Sequence, residues 1–345
     1  LSNSTEKNKH NSKVDYGRLI RLKNKISGEN IMSGRKVGII GAGAVGASAA
    51  FSLVITGACN EIILYDIQTQ AAIGKAIDLE QAGAYSTNGT IVKAALTPDE
   101  VKDCDVVVIT AGVPRTGDMT REDLLTINAK IMKDVVENIK KHSPDAVIIC
   151  VSNPLDVMSY AIHKMTGWDR NRIVGMAGAL DGSRMAYQIN NELGYGRAQT
   201  RAMVLGDHGE NMIPVPSMSS VGGVPLTEIV SKEVMENIIN RTKHGGAQIV
   251  KHLGTSAYYA PGRGVAVMVE AILNDSKIVI PSSCLLNGEY GHSDVSVGVP
   301  AVIGKTGVEK IIELEFDDDL TQKFTDSVNT VKNGIDILTK NNFFK

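Results

Sequence analysis

Residues 36–56 read KVGIIGAGAVGASAAFSLVIT, and no other stretch restricts the fold of this chain as strongly. KVGIIG has the composition of a short buried strand, and AVGASAAFSLVIT that of a helix. The turn between them carries Gly41, Gly43 and Gly46 in G-x-G-x-x-G spacing. Val37 to Asn60 contains no charged residue, which raises the question of a membrane span. Five glycines argue against one, because they divide the run into strand, turn and helix. In that context each glycine has a task. Gly41 permits the tight turn, Gly43 lets the backbone approach a pyrophosphate, and Gly46 lets the helix pack closely on the strand. The first amides of the helix then supply donors and positive partial charge. Gly41, Ala42, Gly43, Ala44, Val45 and Gly46 are the expected dinucleotide-binding loop. Asp66 closes the next strand, 20 residues beyond Gly46. Its carboxylate suits the adenosine ribose hydroxyls and repels a 2′-phosphate, which favours NAD over NADP. Asp66 as a plain turn or helix cap is the alternative.

Further along, short apolar runs alternate with helical segments. EIILYDI, TIVKAAL, DVVVIT and AVIIC are β-branched and apolar throughout, as strands covered on both faces are. Such alternation predicts a Rossmann-type α/β fold, a doubly wound parallel sheet with right-handed crossovers. After about Ala177 the character changes to longer helices and mixed strands, including a hairpin that turns at GKTG. The expected organisation is a leader over residues 1–31, a dinucleotide-binding domain over 32–177, and an α+β substrate and catalytic domain over 178–345. The leader is rich in Asn, Ser and Lys. It reads as disordered or added to the natural chain, with a targeting remnant or an intersubunit arm as alternatives.

Net charge limits the partners. Thirty-six basic residues stand against 38 acidic ones, a balance of −2, so the chain has no general attraction for nucleic acid or an anionic membrane. An anionic ligand must be held by locally placed cations. The four cysteines are far apart and match no metal spacing, which suits small buried thiols in a reducing compartment. No metal site is expected, and the cytoplasm is the expected location. An organelle matrix is the alternative if the leader is a targeting remnant.

Three further stretches carry chemistry. VSNPLD, residues 151–156, follows the strand AVIIC, at the end of a strand where open parallel sheets bind ligands. There Asn153 can hydrogen-bond a nicotinamide or a substrate, or merely form the turn before Pro154. GDHGENM places His208 in a glycine-flanked loop, and ALDGSR sets Asp181 and Arg184 three apart, on one helical face. Asp181 can fix the imidazole tautomer, His208 can move a proton through its other nitrogen, and Arg184 can clamp a carboxylate bidentately. An N-cap and a solvated pair explain the same spacing of Asp181 and Arg184 equally well. GVPRTGDMTRED carries Arg115 and Arg121, which would point well apart on a helix and so suggest a loop.

Taken together and in order, GAGAVG, YDI, GKAIDL, TAGVPR, MTREDLLTINAKI, VSNPLD, ALDGSR, GDHGENM and GTSAYYAPGRG resemble the lactate/malate dehydrogenase family. The likeness runs from about Lys36 to Leu338 and is nearest the lactate-dehydrogenase-like branch of the members that oxidise malate. It implies an NAD-dependent oxidoreductase acting on malate and oxaloacetate. His208 then transfers the proton and Asp181 is its carboxylate partner. Arg184 grips the C1 carboxylate, Arg121 polarises the reacting carbonyl and Arg115 meets the second carboxylate. Asn128, Val151, Ser152 and Asn153 contact the nicotinamide side, and Asn153 also touches substrate. A homodimer or homotetramer is implied as well. The chain departs from the family pattern at Thr116-Gly117-Asp118, where a Lys-Pro-Gly run is usual, at Glu210 in place of Asp, and at Gly182 in place of serine.

Two other functions compete. A dehydrogenase of lactate or a bulkier apolar acid would leave Arg115 buried without a partner carboxylate, at a cost of several kcal/mol. A dinucleotide-binding module without activity would have no use for His208, Asp181 and Arg184.

Overall fold

The computed structural model describes residues 35–114 and 119–344. The leader over 1–31 and Arg115 through Asp118 lie outside the described residues. From Arg35 onward the chain packs as one unit.

Six parallel strands form the first part of the sheet. They are β1 (Lys36–Ile40), β2 (Glu61–Tyr65), β3 (Ile91–Ala95), β4 (Val106–Ile109), β5 (Val147–Cys150) and β6 (Ile173–Gly175), laid side by side as β3-β2-β1-β4-β5-β6. This is the doubly wound order that the alternating pattern predicts. The central strands VVVI and VIIC are buried at every position. Helices α1 (Ala44–Thr56), α2 (Thr69–Gly83), α3 (Arg121–His142) and α4 (Leu155–Thr166) connect the strands and cover the sheet. Chain direction across the sheet switches between β1 and β4, which pair in parallel from Val37–Val106 to Ile40–Ile109. The loops leaving these two strands therefore diverge and open a crevice at their carboxyl ends.

The second half supplies α5 (Ala177–Leu193), α6 (Lys232–Leu253), α7 (Tyr259–Leu273), β7 (Ile278–Asn287), β8 (Ser293–Gly304), β9 (Gly307–Ile311) and α8 (Asp318–Lys340). Strands β7, β8 and β9 are antiparallel, and the hairpin does turn between Gly304 and Gly307. They do not form a separate sheet. Ser283 of β7 pairs with Gly175 of β6, so nine strands run through one sheet, and one apolar core contains Ile39 and Ile149 together with Val297 and Phe324.

The run AMVL becomes only the short strand Val204–Leu205, paired with Ile213–Pro214. Gly206, with φ +82°, ends it. Gly206 and Gly298 of β8 exchange both backbone hydrogen bonds at 2.9 Å, which ties the loop carrying His208 to the long strand.

Candidate active site

The glycine loop is shaped as its spacing predicts. Gly41 has φ +103°, a backbone conformation other residues rarely adopt. A Cβ on Gly46 would lie 2.0 Å from the Gly41 carbonyl oxygen, so the helix can approach the strand only without one. At Gly43 an added Cβ would meet nothing within 4 Å. That opening faces the start of α1, where Gly43 is the N-cap and no side chain satisfies the free amides. The donors are left for a ligand, and a pyrophosphate fits both the opening and the charge. Thr110 braces the loop from β4, donating to the Gly41 carbonyl at 2.7 Å. Lys75 of α2 donates to the Ala42 carbonyl.

Asp66 does more than cap a turn. One carboxylate oxygen accepts the Gln68 N–H at 2.9 Å, and the other accepts the Ala42 N–H at 2.7 Å. Asp66 also lines a groove of about 580 Å³, whose walls include Gly41, Gly43, Ala111 and Val113. This groove fits an adenosine with its ribose at Asp66, so the residues present match an NAD site.

At the other end of the crevice, Asn128 is 1% exposed. Its side-chain oxygen accepts from Val113 N–H at 2.8 Å, and its amide donates to the carbonyls of Val113 at 3.2 Å and Asn153 at 2.7 Å. Asn128 thus clasps two loops. Ser152, also buried, donates to the Ala111 carbonyl at 2.5 Å and holds the same two loops together. Val151 is half-buried beside it, and the Asn153 side chain is exposed at the loop surface.

The structure separates the two explanations of Asp181 and Arg184. Asp181 lies well inside α5, whose N-cap is Met176, so it does not cap the helix. One of its oxygens accepts from Arg184 Nη1 at 3.1 Å, and the other lies 2.7 Å from His208 Nδ1. The carboxylate side chain is 3% exposed, the imidazole 14% and the guanidinium 15%. A buried carboxylate paired twice is satisfied, and it holds both partners in fixed orientation. Nδ1 carries the proton facing Asp181, which leaves Nε2 for chemistry. Burial pulls the His208 pKa down, but the charge and hydrogen bond of Asp181 and the charge of Asp156 outweigh it, so the imidazolium is favoured. A Cβ added to Gly246 of α6 would lie 3.3 Å from Arg184 Nη2, and one on Gly245 would meet the aliphatic stem, so these glycines leave room for the Arg184 side chain.

Arg121 is the first residue of α3. Thr120 and Asp123 form a reciprocal capping box there, which sets the helix start. The Arg121 guanidinium meets Glu210 at 2.7 Å, with the two side chains 70% and 81% exposed. Glu210 is two residues beyond His208, so this exposed pair links the start of α3 to the loop that carries the imidazole. Arg115 lies outside the described residues.

Two contributors had no reading in the sequence. Asp156 accepts the His208 main-chain N–H at 2.7 Å, and Ser327 of α8 donates to Asp207 Oδ1 at 2.8 Å. In sequence Asp156 is an acidic residue in the first turn of a helix, which the helix dipole alone would explain.

Models of two domain families match the chain: the lactate/malate dehydrogenase NAD binding domain over residues 35–208, and the lactate/malate dehydrogenase alpha/beta C-terminal domain over 178–341. Malate dehydrogenase of Sulfurimonas denitrificans is 53% identical over 312 residues, covering 90% of this chain and 98% of that protein. The crystal structure of Cryptosporidium parvum malate dehydrogenase superposes with a TM-score of 0.85 at 37% identity, covering 89% of this chain and 99% of that one. Lactate dehydrogenase from the same organism, solved with lactic acid and nicotinamide adenine dinucleotide, gives a TM-score of 0.84 at 34% identity, covering 90% and 99%.

Proposed function

The chain belongs to the lactate/malate dehydrogenase family, and from that premise we propose that it catalyses the reversible NAD-dependent oxidation of (S)-malate to oxaloacetate. The observation that carries the reading is the single buried carboxylate of Asp181, shared by His208 and Arg184. NAD accepts or supplies the hydride when bound. In the reductive direction oxaloacetate gains that hydride at C2, and His208 delivers a proton from Nε2 to the C2 oxygen. Arg184 holds the C1 carboxylate, Arg121 polarises the carbonyl after leaving Glu210, and Arg115 meets the second carboxylate. Gly41 through Gly46 and Asp66 hold the dinucleotide, while Asn128 and Ser152 keep the nicotinamide-side loops in place with Val151 and Asn153. The Asp181, His208 and Arg184 side chains are at most 15% exposed, so electrostatic terms among them count for more than in water.

The division of labour is part of the same reading. Residues 32–177 bind the cofactor, and residues 178–345 supply the proton donor and the C1 clamp. A module that binds NAD without turnover would not need a carboxylate and imidazole paired at 2.7 Å beside an arginine. We also assign the protein to the cytoplasm, where a reducing environment suits its four free cysteines, all of them buried with thiols made less acidic by burial. Among the described residues no helix is long and apolar enough to cross a membrane. Finally, we assign a homo-oligomer, a dimer or tetramer, whose subunits cover the exposed apolar side chains Phe51 and Ile55 of α1 and Tyr259 of α7.

Substrate preference tests the reading. With NADH, oxaloacetate should be turned over far better than pyruvate or bulkier 2-oxoacids, and NADPH should serve poorly. Arg115→Gln should move the ratio of kcat/KM toward pyruvate, because the second carboxylate loses its cation. A native preference for pyruvate, or an unchanged ratio in the variant, would overturn the assignment.

A further inference from the structure

Asp156 takes no part in the roles given above, yet it reaches the proton-transfer residue directly. It lies at the second position of α4 and accepts the His208 N–H at 2.7 Å, across 52 residues of sequence. Only 4% of it is exposed. Its other oxygen is also buried and makes no full hydrogen bond among the described residues; the Ser283 hydroxyl of β7, likewise without one, is close enough to favour the charged form of the carboxyl. A neutral oxygen would hold one peptide N–H at a smaller desolvation cost than a carboxylate. The charge therefore calls for its own explanation.

Its surroundings supply one. His208 is faced by Asp181 and Arg184 from α5, Asp156 from α4 and Asp207 from its own loop. Asp156 in turn is faced by Ser283 and Cys284 from β7, Cys150 at the end of β5, and His208 and Asp207. Three carboxylates and one guanidinium thus act on the charge of the imidazole; Asp181 bonds the ring and Asp156 the main-chain N–H. Burial pushes the Asp156 carboxyl up to about 6, while the Ser283 hydroxyl and the His208 N–H favour its ionised form.

We propose that Asp156 is a positioning residue for proton transfer: it fixes the His208 main chain and stands as a second buried negative charge that favours the imidazolium. This rests on His208 being the proton donor, which His208→Ala tests separately. That variant should bind NADH normally and lose turnover by about 10²- to 10⁴-fold. Near-normal activity in it would remove the donor role itself, whatever Asp156 does.

The test of Asp156 is the pH profile of kcat/KM for oxaloacetate reduction, read beside NADH affinity. Reduction uses the protonated ring, so activity is full below the His208 pKa and falls as pH rises through it. Asp156→Asn keeps an acceptor oxygen but removes the charge. The fall should move to lower pH by about one unit, a tenfold change in the imidazole equilibrium, with NADH affinity unchanged. Ser283→Ala keeps the carboxylate but removes the hydroxyl that helps keep it ionised. It should shift the profile the same way by less, and it decides the matter if the Asn variant does not fold. An unmoved profile in the folded variants would leave Asp156 a purely structural anchor and overturn the proposal.

Discussion

At the residue scale, the site is organised by how one carboxylate divides its two oxygens. Asp181 offers Oδ2 to His208 and Oδ1 to Arg184, so the imidazole and the guanidinium share one anchor. Three-residue spacing brought Asp181 and Arg184 to one helical face, but it could not say that a histidine 27 residues away would complete the group. Loss of the charge should be felt in two ways. Asp181→Asn is expected to lower reductive kcat/KM by about 10²- to 10⁴-fold, the usual worth of a positioned proton donor. It should also move the high-pH fall in activity downward, because the attraction that raises the His208 pKa is gone. Rate profiles of the two enzymes against pH check both, and an unshifted fall would mean that another group sets it. Glu210 illustrates the opposite limit. As a departure from the family pattern it invited attention, and it pairs with Arg121, but both side chains are largely exposed. Such a pair is worth at most about 1 kcal/mol, so Arg121 can leave it for a substrate at little cost.

At the element scale, the strand, glycine turn and first helix were readable because each depends on nearby residues. Period and turn chemistry are local properties. Gly46→Ala should break this unit, since its Cβ would fall 2.0 Å from the Gly41 oxygen, which is backbone and cannot turn aside. We expect a loss of at least about 2 kcal/mol of stability and a weakened affinity for NADH. Thermal unfolding and titration calorimetry measure these, and wild-type values for both would show that the close approach is not needed. Helix α5 was harder to read. The helix starts at Ala177 and takes in Gly178 and Gly182, residues that local propensity disfavours in a helix. Yet a Cβ on Gly178 would strike Pro281 of β7 at 2.5 Å. Close packing on the sheet outweighs local propensity here, and it places Asp181 in mid-helix where it faces His208. Likewise Val204–Leu205 is cut short by the turn at Gly206, which hands the loop to β8.

For the whole molecule, balanced charge and an apolar share of 43% suit a soluble-type core, but the surface is not uniformly polar. Phe51 is 49% exposed, Ile55 51% and Tyr259 73%, and they line one cavity between α1 and α7. If a second copy covers this face, Phe51→Asp combined with Ile55→Asp should dissociate the assembly. Light scattering should then report about one chain mass, 36.8 kDa, in place of a multiple of it. An unchanged mass would place the contact elsewhere. By itself the sequence determined the doubly wound half and the glycine turn with Asp66 closing the next strand, and it nominated the residues proposed to do chemistry. All of these are written in short motifs whose physics is complete within a few residues. Only the tertiary structure decided that β7, β8 and β9 extend the parallel sheet, that Asn128 clasps two loops, and that Asp156, Asp181 and Asp207 converge around His208. Those arrangements depend on strand order and crossover packing over tens of residues. The protonation of an imidazole answers to every charge brought near it, however far away in the chain that charge began.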